Sequence, residues 1–234
     1  SQTELLYDFG LEDEVVGITK FCIHPEVWFN SKSRVGGTKS IDIEKVKALK
    51  PDIIIGNKEE NTIEDIDQLR QIAPVWMSDI CTLDDALSMI EQISIITCST
   101  AKGEKIIDEV KMGFSVLAEH RRVKKRKTVL YYIWKDPYMV SGRSTFVDAM
   151  LNECGLENAT NLDRYPEVEK LEKTPDLIFL SSEPFPFKAN HVDDFQQRFP
   201  SSKVVLVNGE MFSWYGSRLQ AAPAYFTKLL DQID

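Results

Sequence analysis

Short runs of apolar residues alternate with amphipathic helical stretches along most of the chain. The isoleucine run at 53–55 stands between Pro51 and Gly56, which is typical of a strand buried on both faces. Further apolar runs predict strands at 15–18, 74–77, 128–133, 177–180 and 204–207. Strands that alternate with helices predict an α/β fold with mostly parallel sheets covered by helices.

One helical stretch is longer than the others. In residues 103–125, apolar side chains such as Ile106, Val110 and Leu117 recur at helical spacing, and no proline interrupts them. A helix of about 20 residues is about 30 Å long, enough to cross a small domain. The basic run at 121–127 is either a solvated helix end that complements the helix dipole or a surface for nucleic acid or acidic lipid. We favour the solvated end, because this is one short run in an acidic chain.

A weak repeat lies on either side of this long helix. Residues 44–55 and 169–179 both give Glu-Lys and an apolar residue, a short helical stretch, Pro-Asp and a buried strand. The repeat predicts two Rossmann-like lobes: an N-terminal α/β lobe at 1–100, a connecting helix at 101–126 and a C-terminal α/β lobe at 127–234. Two lobes that face each other form a cleft, and clefts at domain interfaces bind ligands.

Composition narrows the functions that such a fold could serve. The chain has 234 residues, of which 43% are hydrophobic and 28% charged, as in an ordinary globular protein. It holds 28 Lys and Arg against 37 Asp and Glu, and this net charge of −9 argues against nucleic acid or an anionic membrane as the main partner. It contains no nucleophile elbow, phosphate loop, dinucleotide fingerprint or His-Glu-x-x-His motif, so no motif predicts an enzyme.

Several short motifs follow one another through both predicted lobes. They are Val-Gly-Ile-Thr at 16–19, His-Pro-Glu at 24–26, Arg-Val-Gly-Gly at 34–37, Leu-Lys-Pro-Asp at 49–52, Val-Ser-Gly-Arg-Ser at 140–144, Asn-Glu-Cys-Gly-Leu-Glu-Asn at 152–158 and Ser-Arg-Leu at 217–219. Their order resembles the substrate-binding proteins of ABC importers, in the subgroup with a helical backbone that carries cobalamin, haem and ferric siderophores. The nearest resemblance is to the cobalamin-binding proteins, although Thr38 and Asn57 stand where those proteins carry tryptophans.

The resemblance implies both a fold and a function. The fold would be that of the class III periplasmic binding proteins, with two lobes joined by one long backbone helix. The protein would be a monomer that captures a corrinoid, haem or ferric siderophore between its lobes and delivers it to an ABC importer permease, with no cofactor of its own and no catalysis. Such proteins work in the periplasm or cell envelope. No signal peptide is visible, so a cytoplasmic location stays open.

The start of the chain bears on the same expectation. Ser1-Gln2-Thr3-Glu4 has the form of a helix capping box, and Gly10 is placed to stop that helix. In the family a strand precedes this cap. We therefore expect that a first strand, and any export signal before it, is missing from the N-terminal lobe.

The resemblance also assigns a role to the repeated glutamates. In the family, one carboxylate on the rim of each lobe meets an arginine pocket of the permease. Glu44 falls on the position in the first lobe, and Glu169 is its mate in the repeat, with Glu167 as a rival. Charges on a rim steer and orient docking more than they add affinity. Surface glutamates that merely favour a helix start are the alternative.

The ligand should meet the loops at the ends of the strands. These loops, at 21–28, 36–40, 57–61, 134–139, 183–187 and 210–218, are rich in aromatic residues, which could stack on a flat macrocycle or an apolar chelate. A few cations and polar groups could orient the ligand. The predicted ligand-binding residues are Phe21, His24, Trp28, Thr38, Lys58, Trp134, Tyr138, Phe185, Glu210, Trp214, Tyr215 and Arg218. We expect about half of the loop aromatics to plug the lobes from beneath instead.

A metal site formed by the protein itself is not predicted. His24 is the best single candidate ligand, and Glu59, Glu60 and Glu210 could in principle converge on it. A lone histidine before a proline is more often a loop residue. Two other functions stay open: a chelatase-like enzyme on a similar two-lobed fold, which would need a histidine–glutamate pair across the cleft, and a cytoplasmic interaction protein of the same fold.

Overall fold

A computed structural model of the chain describes residues 1–122, 125–168 and 174–233. Contacts between residues divide the chain into two compact units. Unit 1 comprises Ser1–Ile80 and Leu87–Glu104, and unit 2 comprises Cys81–Ala86 and Lys105–Asp234. The three-part division predicted above, with a separate connecting helix at 101–126, stays a prediction.

Unit 1 is built from short elements. Its helices are α1 (Gln2–Asp8), α2 (Glu26–Ser31), α3 (Ile43–Leu49), α4 (Ile63–Leu69) and the greater part of α5 (Leu83–Ile96). Its strands are β1 (Gly17–Ile18), β2 (Ser33–Arg34), β3 (Gly36–Gly37), β4 (Ser40–Ile41), β5 (Ile54–Asn57) and β6 (Val75–Ser78). The strands pair two by two. β1 with β2 and β5 with β6 are parallel, whereas β3 with β4 is antiparallel.

Local signals in the sequence explain where these elements begin and end. Asp42 caps α3, since its carboxylate accepts a hydrogen bond from the backbone N–H of Lys45. Lys50 then adopts the left-handed conformation, with φ of 49°, just before Pro51 ends the helix. Thr62 caps α4 in the same way as Asp42 caps α3. One cluster of the unit's core joins the two helices through Val46, Ile66 and Leu69.

The long helix that periodicity predicts is present. It is α6 (Thr100–Arg121), which begins three residues earlier and ends four residues earlier than the predicted stretch of 103–125. The predicted apolar stripe at Ile106, Val110, Phe114 and Leu117 is buried. Gly113 lies against Pro223, so closely that a Cβ at Gly113 would come within 2.9 Å of the proline ring. A larger residue at Gly113 would push the proline away.

Unit 2 is built around one sheet. Its strands are β7 (Thr128–Trp134), β8 (Met139–Val140), β9 (Glu157–Asn158), β10 (Leu177–Ser181) and β11 (Lys203–Val207). The order is β11-β10-β7-β8, with β9 also on β7, and only the β7–β8 pair is antiparallel. Its remaining helices are α7 (Phe146–Glu153), α8 (Ala189–Arg198), α9 (Gly209–Ser213) and α10 (Ala222–Ile233). The predicted α/β class with mostly parallel strands is confirmed.

The core of unit 2 is aromatic. All five residues of β10 are buried. Phe212 is completely buried, with its ring centroid 5.2 Å from that of Tyr131, 6.1 Å from that of Phe179 and 4.7 Å from that of Phe226. These tilted ring contacts add to the burial of apolar area. They tie α9 and α10 to the central strands.

Some predicted boundaries are wrong by a few residues. The first strand is Gly17–Ile18 rather than 15–18, because the chain at Val16 is exposed. Helix α7 is capped by Thr145, whose hydroxyl accepts a hydrogen bond from the backbone N–H of Asp148, while the preceding Ser144 has φ of 59°. The basic run at 121–127 follows α6, but residues 123 and 124 lie outside the described part of the chain. Among the helices that the structure describes, none combines the length and the apolar character needed to cross a membrane.

Candidate functional site

Three neighbouring parallel strands of unit 2 place their following loops together. β7 ends at Trp134, β10 at Ser181 and β11 at Val207, and β10 lies between the other two. The carboxyl ends of parallel strands meet at one edge of a sheet, where α/β proteins bind their ligands. We call this the β7–β10–β11 edge. Most of the ligand-binding residues that the sequence predicts in unit 2 lie on the β7–β10–β11 edge.

Two of the predicted aromatics meet at this edge. The rings of Trp134 and Phe185 have centroids 6.0 Å apart and an interplanar angle of 72°. Trp134 is 41% exposed, an unusual degree for the largest side chain, so its surface is available to a ligand. Tyr138 is more deeply placed, since its ring packs edge-on against Tyr132 and Phe195 in the core. Tyr138 therefore supports the edge from beneath.

A second group of side chains surrounds α9. The guanidinium carbon of Arg218 lies 4.6 Å from the centroid of a Trp214 ring, which is a cation–π arrangement. The same guanidinium forms an ion pair with Glu210, and the side chains of Arg218 and Glu210 are only 15% and 19% exposed. Tyr215 packs edge-on against Phe146 at 5.6 Å. The structure thus brings together three predicted residues, Glu210, Trp214 and Arg218.

Glu183 completes this group, and the sequence did not single it out. Its carboxylate oxygen Oε1 accepts hydrogen bonds from the indole N–H of Trp214, at 2.8 Å, and from the hydroxyl of Ser213, at 2.5 Å. We call Glu183, Glu210, Trp214 and Arg218 the α9 cluster. Glu183 lies inside a predicted ligand-binding loop, but no spacing pattern connects it to Trp214, which is 31 residues away along the chain.

The backbone beneath the α9 cluster is tightly fixed. The hydroxyl of Ser181 donates to the carbonyl of Glu183 at 2.6 Å, and the phenol of Tyr131 donates to Ser181 at 3.1 Å. Burial raises the pKa of Tyr131 far above its usual range, so the phenol stays protonated and can donate. At Gly209, a Cβ would lie 2.6 Å from Cγ of Glu183, so only glycine fits this close approach. The loop after β10 and the start of α9 are therefore locked together.

Unit 1 has a comparable edge, where β5 and β6 end. Lys58, which follows β5, forms an ion pair with Asp79, which follows β6, and both side chains are largely exposed, at 69% and 48%. The hydroxyl of Thr38 donates to Glu60 at 3.3 Å. We call this the β5–β6 edge. The predicted residues Thr38 and Lys58 both lie on it, in polar and solvated surroundings.

The loop after β1 contains the other predicted residues of unit 1. Phe21 is 59% exposed, with the ammonium of Lys20 5.1 Å from the centroid of its ring. His24 is partly buried just before Pro25. Trp28 is completely buried, edge-on to Tyr7 at 5.3 Å, so in this structure its side chain offers no surface to a ligand. The stretch predicted to be a ligand-binding loop ends in helix α2, and Trp28 lies on the buried face of that helix.

Neither a metal centre nor a second docking glutamate can be placed. Within residues 1–122, 125–168 and 174–233, no group of three or more His, Cys, Asp and Glu side chains is arranged to hold a metal ion. Glu44 is exposed in the first turn of α3. Glu169 lies outside the described residues, and its rival Glu167 is exposed. The docking roles of Glu44 and Glu169 stay predictions.

Comparison with known proteins gives consistent matches over the whole chain. A family model described as periplasmic binding protein matches residues 1–204. The vitamin B12-binding protein of Vibrio parahaemolyticus is 24% identical over 185 residues, which cover 76% of this chain and 67% of that protein.

Solved structures agree with these sequence matches. The periplasmic vitamin B12-binding protein of Vibrio cholerae has a TM-score of 0.84 and 23% identity, covering 99% of this chain and 93% of that one. A periplasmic haem-binding protein of Roseiflexus sp. RS-1, in its apo form, has a TM-score of 0.84 and 18% identity, covering 99% of this chain and 95% of that one. At these identities the two structures show a shared fold.

Proposed function

The chain belongs to the periplasmic binding protein family, and from this premise we propose that it captures a corrinoid or an iron chelate and delivers it to an ABC importer. The family that the order of motifs predicted is confirmed by the match over residues 1–204. In this proposal the chelate is cargo rather than a cofactor. The protein binds and releases the chelate without changing it.

The β7–β10–β11 edge carries the proposal. Trp134, Phe185 and Trp214 present aromatic surface beside the ion pair of Arg218 with Glu210. A flat macrocycle can stack on such rings. Because the rings are held by their neighbours, their side chains lose little freedom when the ligand binds. A guanidinium in this setting can reach an amide or carboxylate at the rim of the ligand.

In this proposal unit 1 also contributes residues to ligand binding. Phe21, Thr38 and Lys58 would supply one further ring and two polar groups, with His24 as a hydrogen-bonding residue. Lys58 already has a carboxylate partner in Asp79, so its contribution to affinity would be small. Trp28 and Tyr138 would support the two binding surfaces rather than touch the ligand.

Titration of the purified protein tests the ligand. Cyanocobalamin, haemin and a ferric hydroxamate are added separately and followed by absorbance and by calorimetry. We expect saturable 1:1 binding of at least one of them. Binding of none would contradict the proposal. Insertion of metal into a porphyrin by the protein would instead support the chelatase-like alternative.

Delivery makes a separate prediction. We propose that Glu44 and Glu169 orient the loaded protein, as a monomer, on a permease in the cell envelope. Glu44→Lys should then abolish transport in vesicles that contain the permease, while the affinity for ligand stays within about twofold of the wild type, since rim charges steer docking. Lys45→Glu, on the neighbouring exposed residue, is the control for a general change of charge. Loss of ligand binding in Glu44→Lys would contradict the docking role.

A further inference from the structure

Glu183 has a position to which the sequence pattern assigns no role. It follows β10 in the middle of the β7–β10–β11 edge, and its carboxylate accepts two hydrogen bonds from α9 and the residue after it. Ser213 has a second acceptor, the carbonyl of Gly209 at 2.9 Å, so it can do without Glu183. The structure gives the indole N–H of Trp214 a hydrogen bond to Glu183 at 2.8 Å. Glu183 therefore holds the edge of the Trp214 indole that carries the N–H.

The indole of Trp214 is held in two ways. Glu183 fixes the edge that carries its N–H, and Arg218 lies against a ring face, 4.6 Å from its centroid. Arg218 is in turn held by Glu210. Both ends of this chain of contacts are anchored, because the backbone of Glu183 is bonded to Ser181 and Glu210 lies in α9. The plane of the indole is thus set without any ligand.

We propose that Glu183 is a positioning residue for ligand capture, which acts by holding the Trp214 indole, and with it Arg218, in the orientation that receives the ligand. This rests on the proposed function. A preformed aromatic surface binds more tightly than a mobile one, because less side-chain freedom is lost when the ligand arrives. A hydrogen bond to a carboxylate is stronger than one to a neutral acceptor, so a glutamate suits this task.

The first test needs no ligand. The protein has four tryptophans, so ¹⁵N-labelled tryptophan gives few indole N–H signals in an NMR spectrum, and the signal that disappears in Trp214→Phe identifies Trp214. In Glu183→Ala we expect this signal to shift and its N–H to exchange with water about tenfold faster or more, since a charge-assisted hydrogen bond is lost. An unchanged signal in Glu183→Ala would overturn the proposal.

The second test measures affinity for cyanocobalamin and for haemin. Glu183→Ala should weaken binding of the preferred probe about tenfold, whereas Glu183→Gln, which keeps an acceptor oxygen, should stay within about threefold of the wild type. Glu157→Ala removes an exposed glutamate of the same unit and should change nothing. Equal losses in the Ala and Gln variants, or a loss explained by a fall in the thermal unfolding midpoint, would overturn the positioning role. If the wild type binds neither of these probes, the affinity test is made with the ferric hydroxamate. If that also fails to bind, the proposed function fails, while the indole signal still decides whether Glu183 holds Trp214.

Discussion

The edges of the two units carry different chemistry, although both are formed by the ends of parallel strands. At the β7–β10–β11 edge, Trp134, Phe185 and Trp214 stand beside an ion pair whose side chains are less than 20% exposed. At the β5–β6 edge, Lys58 and Asp79 form an ion pair that is open to water. Both edges follow parallel strands that begin after Pro-Asp, at 51–52 in unit 1 and at 175–176 in unit 2.

The difference shows that two edges formed by the ends of parallel strands need not carry the same chemistry. A shielded, aromatic edge can supply binding free energy, because its side chains are already desolvated and fixed in position before the ligand arrives. A solvated edge can help to orient the ligand but adds little binding free energy, because its charges stay hydrated. On this basis we expect most of the affinity for a ligand, and most of the sensitivity to mutation, to reside in unit 2.

The largest contrast should be between the cores under the two edges. Phe212→Ala removes a completely buried ring that contacts Tyr131, Phe179 and Phe226, and should lower the free energy of unfolding by about 3–5 kcal/mol. Val46→Ala removes two methyl groups from the core cluster of unit 1 and should cost about 1.5–2 kcal/mol. Urea unfolding followed by circular dichroism measures both.

Leu206→Ala is the control for the core variants, since Leu206 is 40% exposed on β11 and its loss should cost less than about 1 kcal/mol. If Phe212→Ala were no more damaging than Val46→Ala, the aromatic packing would not be what holds α9 against the sheet. The contrast between the two units would then rest on their surfaces alone.

The fold could be predicted from the sequence where the pattern is strong. The isoleucine run between Pro51 and Gly56 correctly predicts β5, but not its burial on both faces, since Ile53 is exposed and Ile54 and Ile55 are only partly buried. The apolar stripe of α6 keeps its period from Ile106 to Leu117, and that stripe is buried as predicted. The cap of α7 shows a limit of local signals, because Ser144 and Thr145 are both cap-forming residue types and only the backbone conformation shows that Thr145 provides the cap.

The candidate site could be predicted only in part. Trp28 and Trp134 were both predicted to bind ligand, yet Trp28 is buried in the core and Trp134 is on the surface, and composition cannot separate them. The bond between Glu183 and Trp214 depends on which strands are neighbours, which the sequence does not state. The partner of a charged side chain cannot be predicted from the sequence for the same reason. Lys58 and Arg218 were therefore both predicted to bind ligand, although Lys58 pairs with the exposed Asp79 and Arg218 with the largely buried Glu210.

The two ion pairs give the next contrast. Arg218→Met removes the guanidinium from the largely buried Glu210 and from the Trp214 ring, so it should cost about 1–3 kcal/mol of stability and weaken ligand binding about tenfold or more. Lys58→Met leaves Asp79 hydrated and should change stability by less than about 1 kcal/mol and affinity by less than about threefold. Calorimetric titration and urea unfolding measure both variants. Equal effects at the two edges would refute the division between a shielded and a solvated edge.

The smallest contrast lies in the Pro-Asp pairs of the repeat. The backbone N–H and the hydroxyl of Thr128 both donate to the carboxylate of Asp176, at 2.8 and 2.9 Å, and these bonds lower the pKa of Asp176 below its usual value. A lowered pKa means that this carboxylate stabilises the fold above about pH 4 and ceases to do so as the pH falls through the pKa of the folded state.

Asp176→Asn should therefore cost about 0.5–1 kcal/mol at pH 7, since the group is solvated, and the difference from the wild type should shrink towards pH 3. Asp52→Asn, at the exposed mate of Asp176 in unit 1, should show little change at either pH. If the two variants behaved alike, Asp176 would be only a turn residue, and the repeat would be equivalent here in energy as well as in sequence.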